Sequence, residues 1–321
     1  MKKLIYILFG ASLFAGCSSE DDSRSEERVP LRIAAGIEMT AEGETRAVET
    51  AWEYNDKIGV FITDRISTTI YTDASSGSPV EAKNLEYTFD DGSNYETYGN
   101  TFRLFTPTTK IYLPSTPVAV YGYYPYSAKK LDEITDVDPE AVEIDVSSQT
   151  SQKAIDFMRA KNGNVSNSNT SVELLFQHRL VKLVFNLKQG EGLLEDELKD
   201  ATVLTMSVGS QFTKAIYNVY SDAFIIAGGA TLTDITPVRA SSAPTGFVRT
   251  FEAIVLPNFG SNSAIDRKVT ITFYRKAEDT IVNTFTIPYT TYFNPGYKYT
   301  YNITVNATSI RVDPLKYTEQ W

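Results

Sequence analysis

The chain has 321 residues, with 20 Tyr, 17 Phe, one His, one Cys and a formal net charge of −10. That charge argues against nucleic acid or an anionic lipid surface as partner, and a single Cys leaves no disulfide to staple the fold. With one His, His-dependent catalytic triads and typical zinc sites are excluded.

Met1-Lys2-Lys3 and the apolar run Leu4 to Phe14 read as an export signal: a positive start, then a core too short to cross a bilayer as a permanent helix. Ala15-Gly16-Cys17 completes an arrangement similar to a bacterial lipobox, with Phe14 where Leu is usual. Cys17 is therefore the expected lipidation site, and the outer membrane a partner through that lipid. Several acyl chains on one cysteine anchor stably, each buried methylene contributing ~0.8 kcal/mol. Cleavage nearby by an ordinary signal peptidase, leaving a thiol, is the other reading. Ser18-Ser19-Glu20-Asp21-Asp22 is similar to the acidic tag that sends lipoproteins to the outer face in some Gram-negative anaerobes; a solvated tether explains it equally well.

The next run alternates. Leu31, Ile33, Ala35 and Ile37 share one face of an expected strand, and Arg32, Ala34, Gly36 and Glu38 share the other. Burying its three large side chains would contribute roughly 5–8 kcal/mol. Glu44-Thr45-Arg46-Ala47 then sets a bare arginine in a polar segment, open to a trypsin-like protease cutting between Arg46 and Ala47. The strand is thus expected to be removable. Its loss would leave an apolar groove with unpaired sheet edges, a place for a strand from another molecule.

From there the chain reads as short strands between polar, Gly- and Asn-rich turns. Expected strands are 58–62, 68–72, 85–89, 103–113, 118–124, 142–146 and 155–160, with a polar loop over 162–169. The extended run 172–187 crosses into a second half, where a helical turn over 193–198 precedes strands at 202–208, 215–219, 224–226, 247–256, 268–274, 281–288 and 297–305. Aromatic, Thr and Val enrichment without interleaved helices gives an all-β fold, two antiparallel sandwiches with Greek-key connections. The expected division is a signal over 1–17, a tether and removable strand over 18–46, an N-terminal sandwich over 47–178 and a C-terminal sandwich over 179–321.

The last residues stay apolar. Ile310, Val312, Leu315, Tyr317 and Trp321 make 308–321 a candidate donor strand, or alternatively the segment that completes its own sandwich. His178 sits inside a hydrophobic run and reads as structural. Asp132, Asp136 and Asp138 lack the glycine and bidentate Glu of a calcium loop and read as a solvated acidic loop. Tyr121, Tyr123, Tyr124 and Tyr126 read as packing around Pro125, with a sugar platform as the alternative. Asp279-Thr280-Ile281 fits a short O-glycosylation signal or a hairpin turn, and Gly228-Gly229 reads as a turn. No catalytic residue, metal or cofactor is expected.

Asp56-Lys57-Ile58-Gly59-Val60-Phe61, Tyr123-Tyr124-Pro125-Tyr126, Asp156-Phe157-Met158, the run from Val172 to Leu183, Ala253-Ile254-Val255-Leu256-Pro257 and Phe293-Asn294-Pro295-Gly296-Tyr297-Lys298-Tyr299 add to the signal, first strand and Thr45-Arg46. As an ordered set they resemble the fimbrillin-like proteins, the type V pilins of Gram-negative anaerobes. The resemblance implies two tandem transthyretin-like β-sandwich domains, lipoprotein export, and an arginine-specific protease that removes the first strand. Other pilin subunits then join by strand exchange, placing the protein at the outer membrane surface and in the fimbrium, with a host or bacterial surface as its ligand. Carried over, Cys17 is the lipidation site, Arg46 the cleavage site and 308–321 the donor strand. The competing expectation is a monomeric surface lipoprotein that binds glycan through an exposed patch including Trp52, Tyr123 and Tyr124.

Overall fold

The computed structural model describes residues 30–38, 51–67, 69–75, 77–90, 97–98, 102–128, 141–169, 171–194, 197–200, 204–226, 230–259, 265–276, 279–288, 290–315 and 317–321. Cys17, Arg46, Ala47, the Asp132–Asp138 loop and Gly228-Gly229 lie outside them.

Among the described residues the fold is all-β with two short helical turns. In the N-terminal half the strands are β1 (Arg32–Ile37), β2 (Lys57–Asp64), β3 (Thr72–Asp73), β4 (Val80–Glu81), β5 (Leu85–Phe89), β6 (Thr97–Tyr98), β7 (Phe102–Pro107), β8 (Val118–Tyr124), β9 (Ala141–Asp145), β10 (Met158–Val165) and β11 (Ser171–His178), with the turn α1 (Gln152–Ile155) before β10. The main sheet runs β1-β11-β10-β8-β2-β5-β7-β6, and β1 also pairs with β7. Every strand of this sheet except β6 therefore lies on a closed circuit. Inside it sits one apolar core, including Ile33, Ile58, Val60, Tyr87, Phe105 and Phe176.

The C-terminal half holds β12 (Val181–Gln189), α2 (Glu197–Asp200), β13 (Leu204–Phe212), β14 (Lys214–Asn218), β15 (Ala223–Ile226), β16 (Leu232–Ile235), β17 (Val238–Arg239), β18 (Arg249–Val255), β19 (Arg267–Lys276), β20 (Asp279–Ile287), β21 (Tyr297–Val305), β22 (Ile310–Val312) and β23 (Tyr317–Gln320). One sheet runs β17-β18-β12-β21-β22 with β23 also on β21; a second runs β16-β13-β19-β20. Their inward residues, such as Leu183, Phe185 and Ile303 against Val208, Ile271 and Phe273, form the second core.

The two halves share structure. β9 pairs with β14, which pairs with β15, so residues 141–145 lie in a sheet with a strand of the C-terminal half. Phe61, Tyr121 and Tyr123, on the outer face of the first sheet, belong to the second core. Arg159 of β10 donates from Nε to the Val219 carbonyl at 2.8 Å, and Arg179 reaches Asp222 at 2.8 Å, clamping the β14–β15 turn.

Most expected strands are present, and the exceptions have local causes. The polar stretch after Ala160 is not wholly a loop: β10 continues to Val165, paired with β8 through a bulge between Asn162 and Val165. Main-chain pairing holds it there without apolar side chains. The strand expected over 103–113 stops at Pro107, which has no N–H to extend a ladder.

Candidate functional site

The first strand is an inner member of its sheet. Ile33 pairs with Val172 of β11 in parallel and with Phe105 of β7 in antiparallel; Ala35 likewise lies between Leu174 and Arg103. Leu31 N–H donates to the Ile111 carbonyl at 2.9 Å, and Glu38 N–H to the Phe176 carbonyl at 2.8 Å, closing both ends. Leu31, Ile33 and Ala35 are 0% exposed and Ile37 5%. The opposite face is less polar in practice than its sequence suggests: Arg32 is exposed, but Ala34 and Gly36 are buried.

Beneath β1 lies Trp52, which the competing expectation put in an exposed patch; it is buried here. Its indole Nε1–H donates to the Ala35 carbonyl at 2.9 Å. Its ring stands edge-on to Phe105, Phe176 and Tyr124, with centroids 5.1, 5.3 and 5.4 Å away. The only sequence signal for this role was a lone tryptophan just ahead of a strand; its partner in β1 carries no side-chain cue.

The tail packs on its own molecule. β22 pairs antiparallel with Ile303–Val305, and β23 with Tyr297–Thr300, along the edge of β21 opposite β12. Ile310 and Val312 are half-buried, Leu315 is exposed, and Tyr317 contributes its backbone to β23. Trp321 N–H donates to the Gly296 carbonyl at 2.7 Å. Its ring stacks on His178, centroids 4.3 Å apart at 11°, with Lys182 Nζ 5.5 Å from the ring centre. His178 is buried, its Nδ1 2.9 Å from Asp156 Oδ1. A pocket of about 220 Å³ at this junction is lined by Ile37, Trp52, Tyr124, Met158, Ile254 and Trp321. The last residue of β1 and the last residue of the chain therefore share one cavity.

The aromatic cluster offers no open platform. Tyr121, Tyr123, Tyr124 and Trp52 are buried, and Tyr126 is half-buried. Tyr123 Oη donates to Asn84 Oδ1 at 2.7 Å, and burial pushes its hydroxyl above the ordinary tyrosine value. Burial, then the Asp56 carboxylate, does the same to Tyr124. Among the described residues no His, Cys, Asp and Glu group could hold a metal ion.

The fimbrillin-like family model matches residues 45–317. A candidate fimbrium subunit, Fim1C of Bacteroides uniformis, is 32% identical over 266 residues, covering 80% of this chain and 76% of its own. The crystal structure of a candidate cell adhesion protein from Bacteroides uniformis superposes with a TM-score of 0.64 at 24% identity, covering 92% of this chain and 99% of that one. One from Bacteroides ovatus gives 0.62 at 20% identity, covering 92% and 98%. Those structures share the fold; with the family match over most of the length, the chain belongs to the fimbrillin-like family.

Proposed function

We propose that the chain is a fimbrial subunit precursor, exported as a lipoprotein on Cys17, cut after Arg46 and assembled by strand exchange. The observation that carries this reading is the position of β1: a strand buried from Ile33 to Ile37, paired on both sides, whose covalent link to the rest of its sheet runs through the segment containing Arg46. Cutting there severs the only covalent tie between that sheet and β1. Loss of β1 leaves β7 and β11 each with an unpaired edge and uncovers the core that Leu31, Ile33, Ala35 and Ile37 line. A strand from another subunit is the natural replacement.

The donor in this reading is 308–321, which already carries strand pairing at the end of the chain. The two halves are tandem transthyretin-like Greek-key sandwiches, 47–178 and 179–321, bridged by the β9–β14 pair. The product is a surface appendage with a structural and adhesive role. The relatives, named as fimbrium and cell adhesion proteins, support this reading.

Limited trypsin digestion of the purified precursor, followed by mass and size-exclusion analysis, tests it. One early cut after Arg46 with release of the N-terminal peptide and appearance of oligomers is expected, and Arg46→Ala is expected to stay monomeric. Oligomers from Arg46→Ala, or early nicking elsewhere with Arg46 intact, would overturn it.

A further inference from the structure

Trp52 is held by residues outside β1. Phe105 belongs to β7, Phe176 to β11 and Tyr124 to β8, so the aim of its N–H into the space between β7 and β11 does not depend on β1. The carbonyl it reaches is that of Ala35, the one small residue on a face that otherwise reads Leu31, Ile33 and Ile37. All four and Trp52 share one core.

We propose that Trp52 sets the register of whatever strand lies between β7 and β11, its N–H taking one backbone carbonyl and its ring leaving room there for a small side chain only. A one-residue slip turns every side chain to the wrong face. A two-residue slip keeps a carbonyl over the indole but brings Ile33 or Ile37 to the place of Ala35, overfilling a packed core. The strand recognised thus alternates large, large, small, large. This chain's own tail does not: Thr308-Ile310-Val312-Pro314 and Leu315-Tyr317-Glu319-Trp321 have Val312 and Glu319 in the third place. This chain's own tail is therefore expected to fill the groove less tightly than β1 does. Applied to an incoming strand, the proposal rests on the strand-exchange reading; applied to β1, it stands without it.

Two experiments separate these. In the intact precursor, Ala35→Leu should lower the urea midpoint more than Ala35→Ser does, and the Ala35→Leu loss should shrink when combined with Trp52→Phe. Strictly additive effects, or equal losses for Ser and Leu, would overturn the proposal whatever becomes of strand exchange. In protein processed after Arg46, a synthetic peptide of residues 30–38 should bind about tenfold or more tightly than its Ala35→Leu form or a peptide of residues 308–321. An ester in place of the 35–36 amide weakens the carbonyl acceptor, and its cost should be about fivefold larger with Trp52 than with Trp52→Phe. Equal ester costs in both backgrounds would overturn the role of the indole while leaving strand exchange standing. Failure of every peptide to bind would sink strand exchange, and the precursor measurements would still decide the register claim for β1.

Discussion

At the scale of single residues, the Asn-Pro-Gly turn before β21 does more than reverse the chain. Gly296 has φ +75°, its N–H donates to the Leu180 carbonyl at 2.8 Å, and its carbonyl accepts from Trp321. A Cβ there would stand 2.7 Å from the His178 carbonyl oxygen. We expect Gly296→Ala to cost about 2–3 kcal/mol from backbone strain and this close approach, read from denaturant unfolding. Trp321→Ala should cost about 1–2 kcal/mol through the lost stack on His178 and the lost cation contact with Lys182; an unchanged urea midpoint would mean the tail end is idle. Gly296 stood in the sequence only as part of a family motif, its contacts with Leu180, His178 and Trp321 unread, whereas His178 read as structural because hydrophobic residues flank it. Trp52 was not legible: a side chain bonded to a distant main-chain carbonyl leaves no pattern in its partner.

At the scale of elements, β1 was readable because alternation of Leu31, Ile33, Ala35 and Ile37 is a direct signature of a half-buried strand. Its neighbours were not, since parallel pairing with β11 and antiparallel pairing with β7 depend on how distant segments meet. The same holds for β9, whose apolar residues announced a strand but not that its partner would be β14. Burial of Ile33 within the first core gives a differential test. Ile33→Ser should destabilise the precursor by about 2–4 kcal/mol through a cavity and a buried hydroxyl. It should leave the protein processed after Arg46 unchanged, because the altered strand is gone from it. Equal effects on the two forms, measured by urea unfolding, would mean that β1 stays in place after cleavage.

At the scale of the whole molecule, strand spacing suggested two sandwiches, but the core that joins the two parts of the chain was not legible, because the outward Tyr121 and Tyr123 had looked local to one turn. They belong to the core of the C-terminal half, and β14 takes its partner β9 from the N-terminal half. A fragment of residues 179–321 should therefore fail to give dispersed amide resonances, and the full chain should unfold in a single transition; a folded, soluble fragment would show the halves to be independent. Buried tyrosines set the alkaline limit. Burial raises the hydroxyls of Tyr87, Tyr123, Tyr124, Tyr217 and Tyr301 above their ordinary value of 10.0. The neutral form is thus favoured in the folded state. The stability linked to these groups is complete below pH 10 and is lost as pH rises through the raised folded values. Absorbance titration should show them ionising only together with unfolding; smooth titration in a folded protein would contradict their burial.

The tail grips β21 in two short lengths, Ile310–Val312 and Tyr317–Gln320, with Pro314 between them and unable to donate a main-chain hydrogen bond. A continuous strand would have to come away in one costly event. Two patches of three and four residues can peel in succession, so the barrier to release is that of the tighter patch and not their sum. Under the proposed strand exchange, the tail would leave β21 one patch at a time, and the patch beside the anchored Trp321 would be the last to part.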